Sequence, residues 1–273
     1  MEQLCYPGLI SIARQQQISL KPVMMDEEGI VPESLDAACR LYQPRLVYLT
    51  PTLQNPTTAT MSDARRESVI EVCQRHKVYI LEDDVNGLLP ATRPAPLVNL
   101  APDRVIHVSG FAKFLAPGLR MGFVLSPEDL YPAFIRTLQN HSWMVSPLLS
   151  ALTAMMARQG IADGTLEQVR RDMAGRWQRV EKLLAGFDLR YHPSSLHGWL
   201  VLPETWPLSK FLARCAEKRL DVKSAELFVP PGYPAIPAVR IAVSAPKDPT
   251  SLEHGIATLA EILANPPADE FTL

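Results

Sequence analysis

The sequence predicts an α/β fold, and three observations carry that reading. Short apolar runs suited to buried strands, at 45–50, 78–81 and 105–108, alternate with stretches of helical period. Polar residues able to do chemistry follow two of these runs, Glu82-Asp83-Asp84 after the second and the loop holding Lys113 after the third; that is where open α/β sheets place their ligand sites. From about Asp188 the strands and helices follow a smaller α+β pattern, which predicts a large domain at 1–187 and a small domain at 188–273.

Composition narrows the class. The 273 residues can bury a large core, and 47% hydrophobic against 21% charged residues with a formal net charge of −2 is an ordinary globular balance. There is no basic excess for nucleic acid, no run of 18 apolar residues for a membrane span, and nothing in Met1-Glu2-Gln3 that reads as a signal peptide. Cys5, Cys39, Cys73 and Cys215 are scattered without CxxC spacing, which argues against a zinc site and fits a reducing cytoplasm.

In chain order, 4–8 reads as a strand end and turn and 9–14 as a short helix. Residues 32–43 read as a helix, with Pro32 in the first turn and Leu35, Ala38 and Tyr42 on one face. The strand at 45–50 is stopped by Pro51, and Ser62 is the N-cap of the next helix, which buries Val69, Ile70, Val72 and Cys73. Three successive carboxylates after 78–81 fit a solvated loop on composition alone. Pro117-Gly118 forbids a regular helix after 105–108, so Lys113 lies on a loop leaving a strand. Apolar surroundings there would disfavour its charged form, and a neutral amine attacks an aldehyde to form a Schiff base. Arg120 would offer a fixed cation to a phosphate.

Residues 123–125 read as a strand and 127–187 as largely helical. Leu130, Phe134, Leu138, Leu148, Leu149, Leu152, Met155 and Met156 recur near helical spacing, which suits either a core or a dimer seam. Strands are expected at 190–192, 198–202 and 239–243, with helices at 208–218 and 252–263. Arg240 interrupts the last strand, so it needs a carboxylate, as in an edge-strand salt bridge, or another partner.

The run Lys113-Phe114-Leu115-Ala116-Pro117-Gly118-Leu119-Arg120-Met121-Gly122 resembles the lysine loop of fold-type I pyridoxal-phosphate enzymes, the aspartate aminotransferase superfamily. It is most similar to the aminotransferase-like domain of MocR regulators in the GntR family. Thr50-Pro51-Thr52-Leu53-Gln54-Asn55-Pro56-Thr57-Thr58 is similar to that superfamily's Thr-Pro-x-x-Gln-Asn-Pro-Thr-Gly motif. The resemblance runs from Tyr6 to about Ala264. It implies a mixed, mostly parallel sheet in a large domain that is incomplete at its N-terminus, with the phosphate-binding loop, the ring-stacking aromatic residue and any winged helix before Met1.

The resemblance also implies pyridoxal 5'-phosphate as cofactor and no metal. By it, Lys113 is the Schiff-base donor and proton shuttle, Asn55 donates to the cofactor's phenolic oxygen, and Asp83 pairs with the pyridine nitrogen, keeping the ring cationic. Arg120 binds the phosphate, and Arg240 grips the substrate α-carboxylate with a bidentate fork. The sequence departs from the pattern at Thr58, where the superfamily has glycine, and at Val85 and Asn86, where a tyrosine is common. Gly110 and Ala112 stand where hydroxyl residues often precede the lysine, and Ser109 lies one residue too early to replace them. Asn86 could supply one of the missing hydrogen bonds.

Three functions follow as expectations. The first is an aminotransferase that moves an amino group between an amino acid and a 2-oxo acid. The second is the effector-sensing domain of a MocR-type transcriptional regulator, with little or no transaminase activity, reaching DNA only through a domain outside this chain. The third is a cofactor-free remnant that dimerises. A cytoplasmic homodimer without membrane contact is expected in each case.

Overall fold

The computed structural model describes residues 1–267, so residues 268–273 of the expected small domain lie outside the described part. The chain divides into two compact units. The first comprises Met1–Gln3, Val23–Gln54 and Ala59–Arg170, and the second comprises Leu4–Pro22, Asn55–Thr58 and the chain from Arg171 on. That division falls within the helix Ile161–Leu183, whereas the sequence expectation draws it after the helix.

The first unit is built on a four-stranded sheet in the order Leu46–Leu49, Tyr79–Asp83, Val105–Gly110, Gly122–Leu125. The first three strands run parallel and the fourth antiparallel, giving the mixed, mostly parallel sheet. Val47, Leu49, Ile80 and Val105 pack with Leu35 and Cys39 of the helix Pro32–Tyr42 and with Val69, Val72 and Cys73 of the helix Asp63–Arg75. Fully burying a side chain such as Val or Leu is worth about 1.5–3 kcal/mol. The second of these helices starts where Ser62 Oγ accepts the Arg65 N–H at 3.3 Å. Arg66 in its first turn is fully buried, donating to the Met61, Pro51 and Ala95 carbonyls and to Thr52 Oγ1.

Gly110 and Gly122 oppose each other across the last two strands. A Cβ at Gly110 would stand 3.0 Å from the Met121 carbonyl oxygen, and one at Gly122 would stand 2.9 Å from that of Ser109. The strands therefore approach as they do only because both positions lack a side chain. In the helices Tyr131–Ser142 and Pro147–Arg158, Leu138 is 44% exposed, Leu148 76% and Met155 44%. Their helical spacing does not reflect a core within this chain.

The second unit holds an antiparallel sheet in the order Leu189–Arg190, His197–Val201, Ala238–Ala242, Lys223–Ser224. Trp177 stacks on Tyr191 at 4.5 Å between ring centroids and donates its indole N–H to the Ser195 carbonyl at 2.8 Å. Gly198 makes room for that indole, since a Cβ there would lie 2.5 Å from it. Arg176 fastens the strand end by donating to the Val243 and Pro246 carbonyls at 2.9 and 2.7 Å. Because Ala238–Ala242 is paired on both sides, Arg240 is not on an edge strand.

Candidate functional site

In the first unit, the chemistry gathers at the carboxyl ends of the parallel strands. Asp83 closes the strand Tyr79–Asp83, in which Ile80 and Glu82 are buried and Tyr79, Leu81 and Asp83 are half-buried. The alternation of strand side chains thus sends neighbouring carboxylates to opposite faces. Tyr48 Oη donates to Asp83 Oδ2 at 2.5 Å, and the Val85 N–H approaches Oδ1 at 3.4 Å.

Glu82 and Asp84 have other partners. Glu82 accepts the backbone N–H groups of Leu97 and Val98 at 2.7 and 3.2 Å, and His107 Nδ1 lies 2.8 Å from its carboxylate. Asp84 is buried with Arg93 Nη1 2.7 Å from each of its oxygens. Burial pushes the Asp84 carboxyl up, and Arg93 opposes that. Of the three carboxylates, Asp83 alone is not enclosed.

Val105–Gly110 pairs with the Asp83 strand, placing Asp83 opposite Val108, and the chain then turns into the loop of Lys113. Lys113 is exposed while its neighbour Phe114 is buried at 8% exposure. The sequence expectation that apolar neighbours desolvate the lysine is therefore corrected: Phe114 is buried, Phe111, Ala112 and Leu115 are half-buried, and Lys113 is exposed. Arg120 follows the short turn Pro117–Leu119 in the left-handed conformation, φ 50°, and is also exposed.

The departures in sequence have structural reasons. Gly110 cannot carry a hydroxyl because of the close strand at Gly122. Ser109 is buried and donates to the Asp84 carbonyl at 3.2 Å. Asn86 donates its amide to the Leu53 carbonyl at 3.0 Å, where it holds a turn.

In the second unit, Arg240 Nη1 donates to Asn55 Oδ1 at 2.8 Å. That bond orients the Asn55 amide so that Nδ2 remains a donor. The guanidinium carbon lies 5.3 Å from the Phe228 ring centroid, and Nε is buried without a hydrogen-bond partner. Among the described residues Arg240 forms no ion pair. Burial lowers its affinity for its proton, and the nearby Tyr6 phenol opposes this. Arg240 is half-buried, and a partly desolvated cation with an enclosed, unsatisfied donor suits an anionic ligand. Thr58 adopts φ 66°, so a threonine occupies the left-handed position that glycine holds in the similar motif.

Sequence reasoning passed over three residues. Tyr48 reads as one more member of an apolar strand, and Tyr6 as a turn residue. Glu2 is fully buried, with Oε2 accepting from the Thr50 N–H at 3.2 Å and from Gln54 Nε2 at 3.3 Å, while Oε1 has no partner. Burial pushes its carboxyl up to about 8. None of these had a local signal, because each depends on residues brought close by folding.

A family model described as aminotransferase class I and II matches residues 1–259. The chain is 32% identical over 258 residues to YdeF of Bacillus subtilis, an uncharacterized HTH-type transcriptional regulator, covering 94% of this chain and 56% of that protein. It is 28% identical over 241 residues to YjiR of Escherichia coli, described in the same words, covering 84% and 50%. The chain thus spans about half the length of these curated relatives. The crystal structure of LysN, an α-aminoadipate aminotransferase from Thermus thermophilus complexed with N-(5'-phosphopyridoxyl)-L-leucine, superposes with a TM-score of 0.87 at 23% identity, covering 96% of this chain and 70% of LysN. At that identity the likeness establishes the fold.

Proposed function

The chain belongs to the aminotransferase class I and II family, and on that premise we propose that it binds pyridoxal 5'-phosphate and an amino acid, and moves the amino group to a 2-oxo acid. The observation that carries the proposal is Arg240, a half-buried guanidinium with no ion pair among the described residues and with its Nε enclosed and unsatisfied. Its planar fork suits an α-carboxylate, and hydrogen bonding there would complete its donors.

The other residues fit the cofactor by the chemistry of their side chains. Lys113 presents an exposed amine for covalent attachment and for carrying a proton. Asp83 presents a carboxylate held by Tyr48 for the ring nitrogen. Asn55 has Nδ2 to donate to the phenolic oxygen, and Arg120 offers an exposed cation for the phosphate. When bound, pyridoxal phosphate supplies an aldehyde and an electron-withdrawing ring.

A second reading rests on the curated relatives, two of which are HTH-type transcriptional regulators matched along most of this chain. In it the same residues bind cofactor and amino acid as an effector, turnover is slight, and DNA is contacted only by a domain outside this chain. Both readings include a cytoplasmic homodimer. Support for the dimer comes from Leu148, Trp143 and Met144, which are 76%, 77% and 56% exposed, and support for the compartment from four buried cysteines outside any disulfide among the described residues. No helix of the described residues is long and apolar enough to cross a membrane.

Visible absorbance after adding pyridoxal phosphate, followed by a panel of amino acids and 2-oxo acids, tests the proposal. A visible band that amino acids bleach, with 2-oxo acid product formed, supports the aminotransferase. A band that amino acids alter without product supports the sensor. The absence of any band rejects both.

A further inference from the structure

We infer that Tyr48 is a positioning residue for Asp83, fixing which carboxylate oxygen faces the cofactor's ring nitrogen; the inference rests on the proposed binding of pyridoxal phosphate. The register of the sheet sets up the contact. Tyr48 in the strand Leu46–Leu49 is paired with Leu81 of the adjacent parallel strand, and Asp83 lies two positions further along that strand. Residues two apart share a face, so Tyr48, Leu81 and Asp83 project to the same side, and the phenol reaches diagonally to the carboxylate.

Tyr48 is 7% exposed, and a buried phenol needs a polar partner. Its hydroxyl donates to Asp83 Oδ2 at 2.5 Å, whereas Oδ1 has only the Val85 N–H at 3.4 Å. One oxygen is therefore firmly engaged and the other is left nearly open. A carboxylate pinned at Oδ2 cannot rotate without breaking that bond, so Oδ1 is the oxygen presented to a ring N–H.

Other groups do not compete for this role. Asp84 is held by Arg93, and Glu82 by His107 and two backbone N–H groups. Asn86, at the position where a tyrosine is common, is turned to Leu53. Tyr48 reaches Asp83 instead from a neighbouring strand.

A double-mutant cycle on cofactor affinity tests this, using the full chain, its Tyr48→Phe and Asp83→Ala variants and the double variant, with pyridoxal phosphate binding measured by equilibrium dialysis. Asp83 is half-buried, so water can replace the lost donor and Tyr48→Phe keeps its fold, which circular dichroism checks. Tyr48→Phe should weaken binding about tenfold in the native background. In the Asp83→Ala background the same change should alter it less than about twofold, because a residue acting through Asp83 has nothing left to act on. Equal losses in both backgrounds, or no loss in either, would overturn the assignment of Tyr48 while leaving the proposed function intact. A native chain that binds no pyridoxal phosphate would overturn both.

Discussion

Arg240 and Asn55, far apart in sequence, are joined by a hydrogen bond of 2.8 Å from guanidinium Nη1 to amide Oδ1. One contact thereby orders two groups that the similar motifs assign to different ligands, the amide to the cofactor and the guanidinium to the substrate. It also leaves the guanidinium without a carboxylate partner among the described residues.

That arrangement separates binding from stability. Breaking a buried ion pair costs several kcal/mol because one charge is stranded, but Arg240→Met strands no carboxylate. The variant should retain its unfolding free energy within about 1 kcal/mol, with any change favouring the folded state. Its affinity for amino-acid carboxylates in the cofactor-loaded protein should fall about a hundredfold, in line with loss of a charge-assisted bidentate contact. Thermal melts and calorimetric titration measure the two effects; a large loss of stability with unchanged affinity would assign Arg240 to the scaffold.

Glu2 makes stability depend on pH. Its carboxyl, ordinarily near 4.5, is pushed up to about 8 by burial, against the opposing hydrogen bonds from Thr50 and Gln54. Between those values the folded state holds a proton that the unfolded state has lost. The stabilisation is thus full below 4.5 and disappears as pH rises to about 8. At about 1.4 kcal/mol per unit, the loss across the window is of the order of 3–5 kcal/mol. Glu2→Gln should flatten this dependence and unfold at higher denaturant concentration than the native chain at pH about 8. Parallel urea titrations across the window would show it, and equal slopes for the two proteins would refute it.

Thr58 offers a contrast of signs. A β-branched residue at φ 66° carries strain of about 1–2 kcal/mol, offset in part by burial of its side chain to 8% exposure. Thr58→Gly should relieve the strain and stabilise the protein by roughly 0.5 kcal/mol after the entropic cost of glycine. Thr58→Ala keeps the strained Cβ and loses packing, so it should destabilise by about 1 kcal/mol. Denaturant unfolding of both decides it, and a shift of the same sign in the two variants would show that strain is not the dominant effect.

The sequence was most legible where local rules suffice. Pro32 in a first turn, Ser62 as a cap and Pro117-Gly118 as a helix stop each act within a few residues, and the structure has a helix from Pro32, a cap at Ser62 and a turn before Arg120. The apolar run at 45–50 became the strand Leu46–Leu49. Legibility ended where the partner is remote. Tyr48 meets Asp83 35 positions later, and the enclosure of Glu2 depends on Thr50 and Gln54. The exposure of Lys113 escaped the pattern because composition cannot say which side of a loop faces inward. Likewise, helical spacing from Leu138 to Met155 shows an apolar face without showing what covers it.

The central claim is that the Lys113 amine takes the cofactor. Loading the chain with pyridoxal phosphate, reducing it with borohydride and mapping the labelled peptide by mass spectrometry tests that claim at the level of one atom. The account predicts a single stable pyridoxyl label on the peptide containing Lys113, abolished in Lys113→Ala. A label on another lysine, or labelling undiminished in Lys113→Ala, would contradict it.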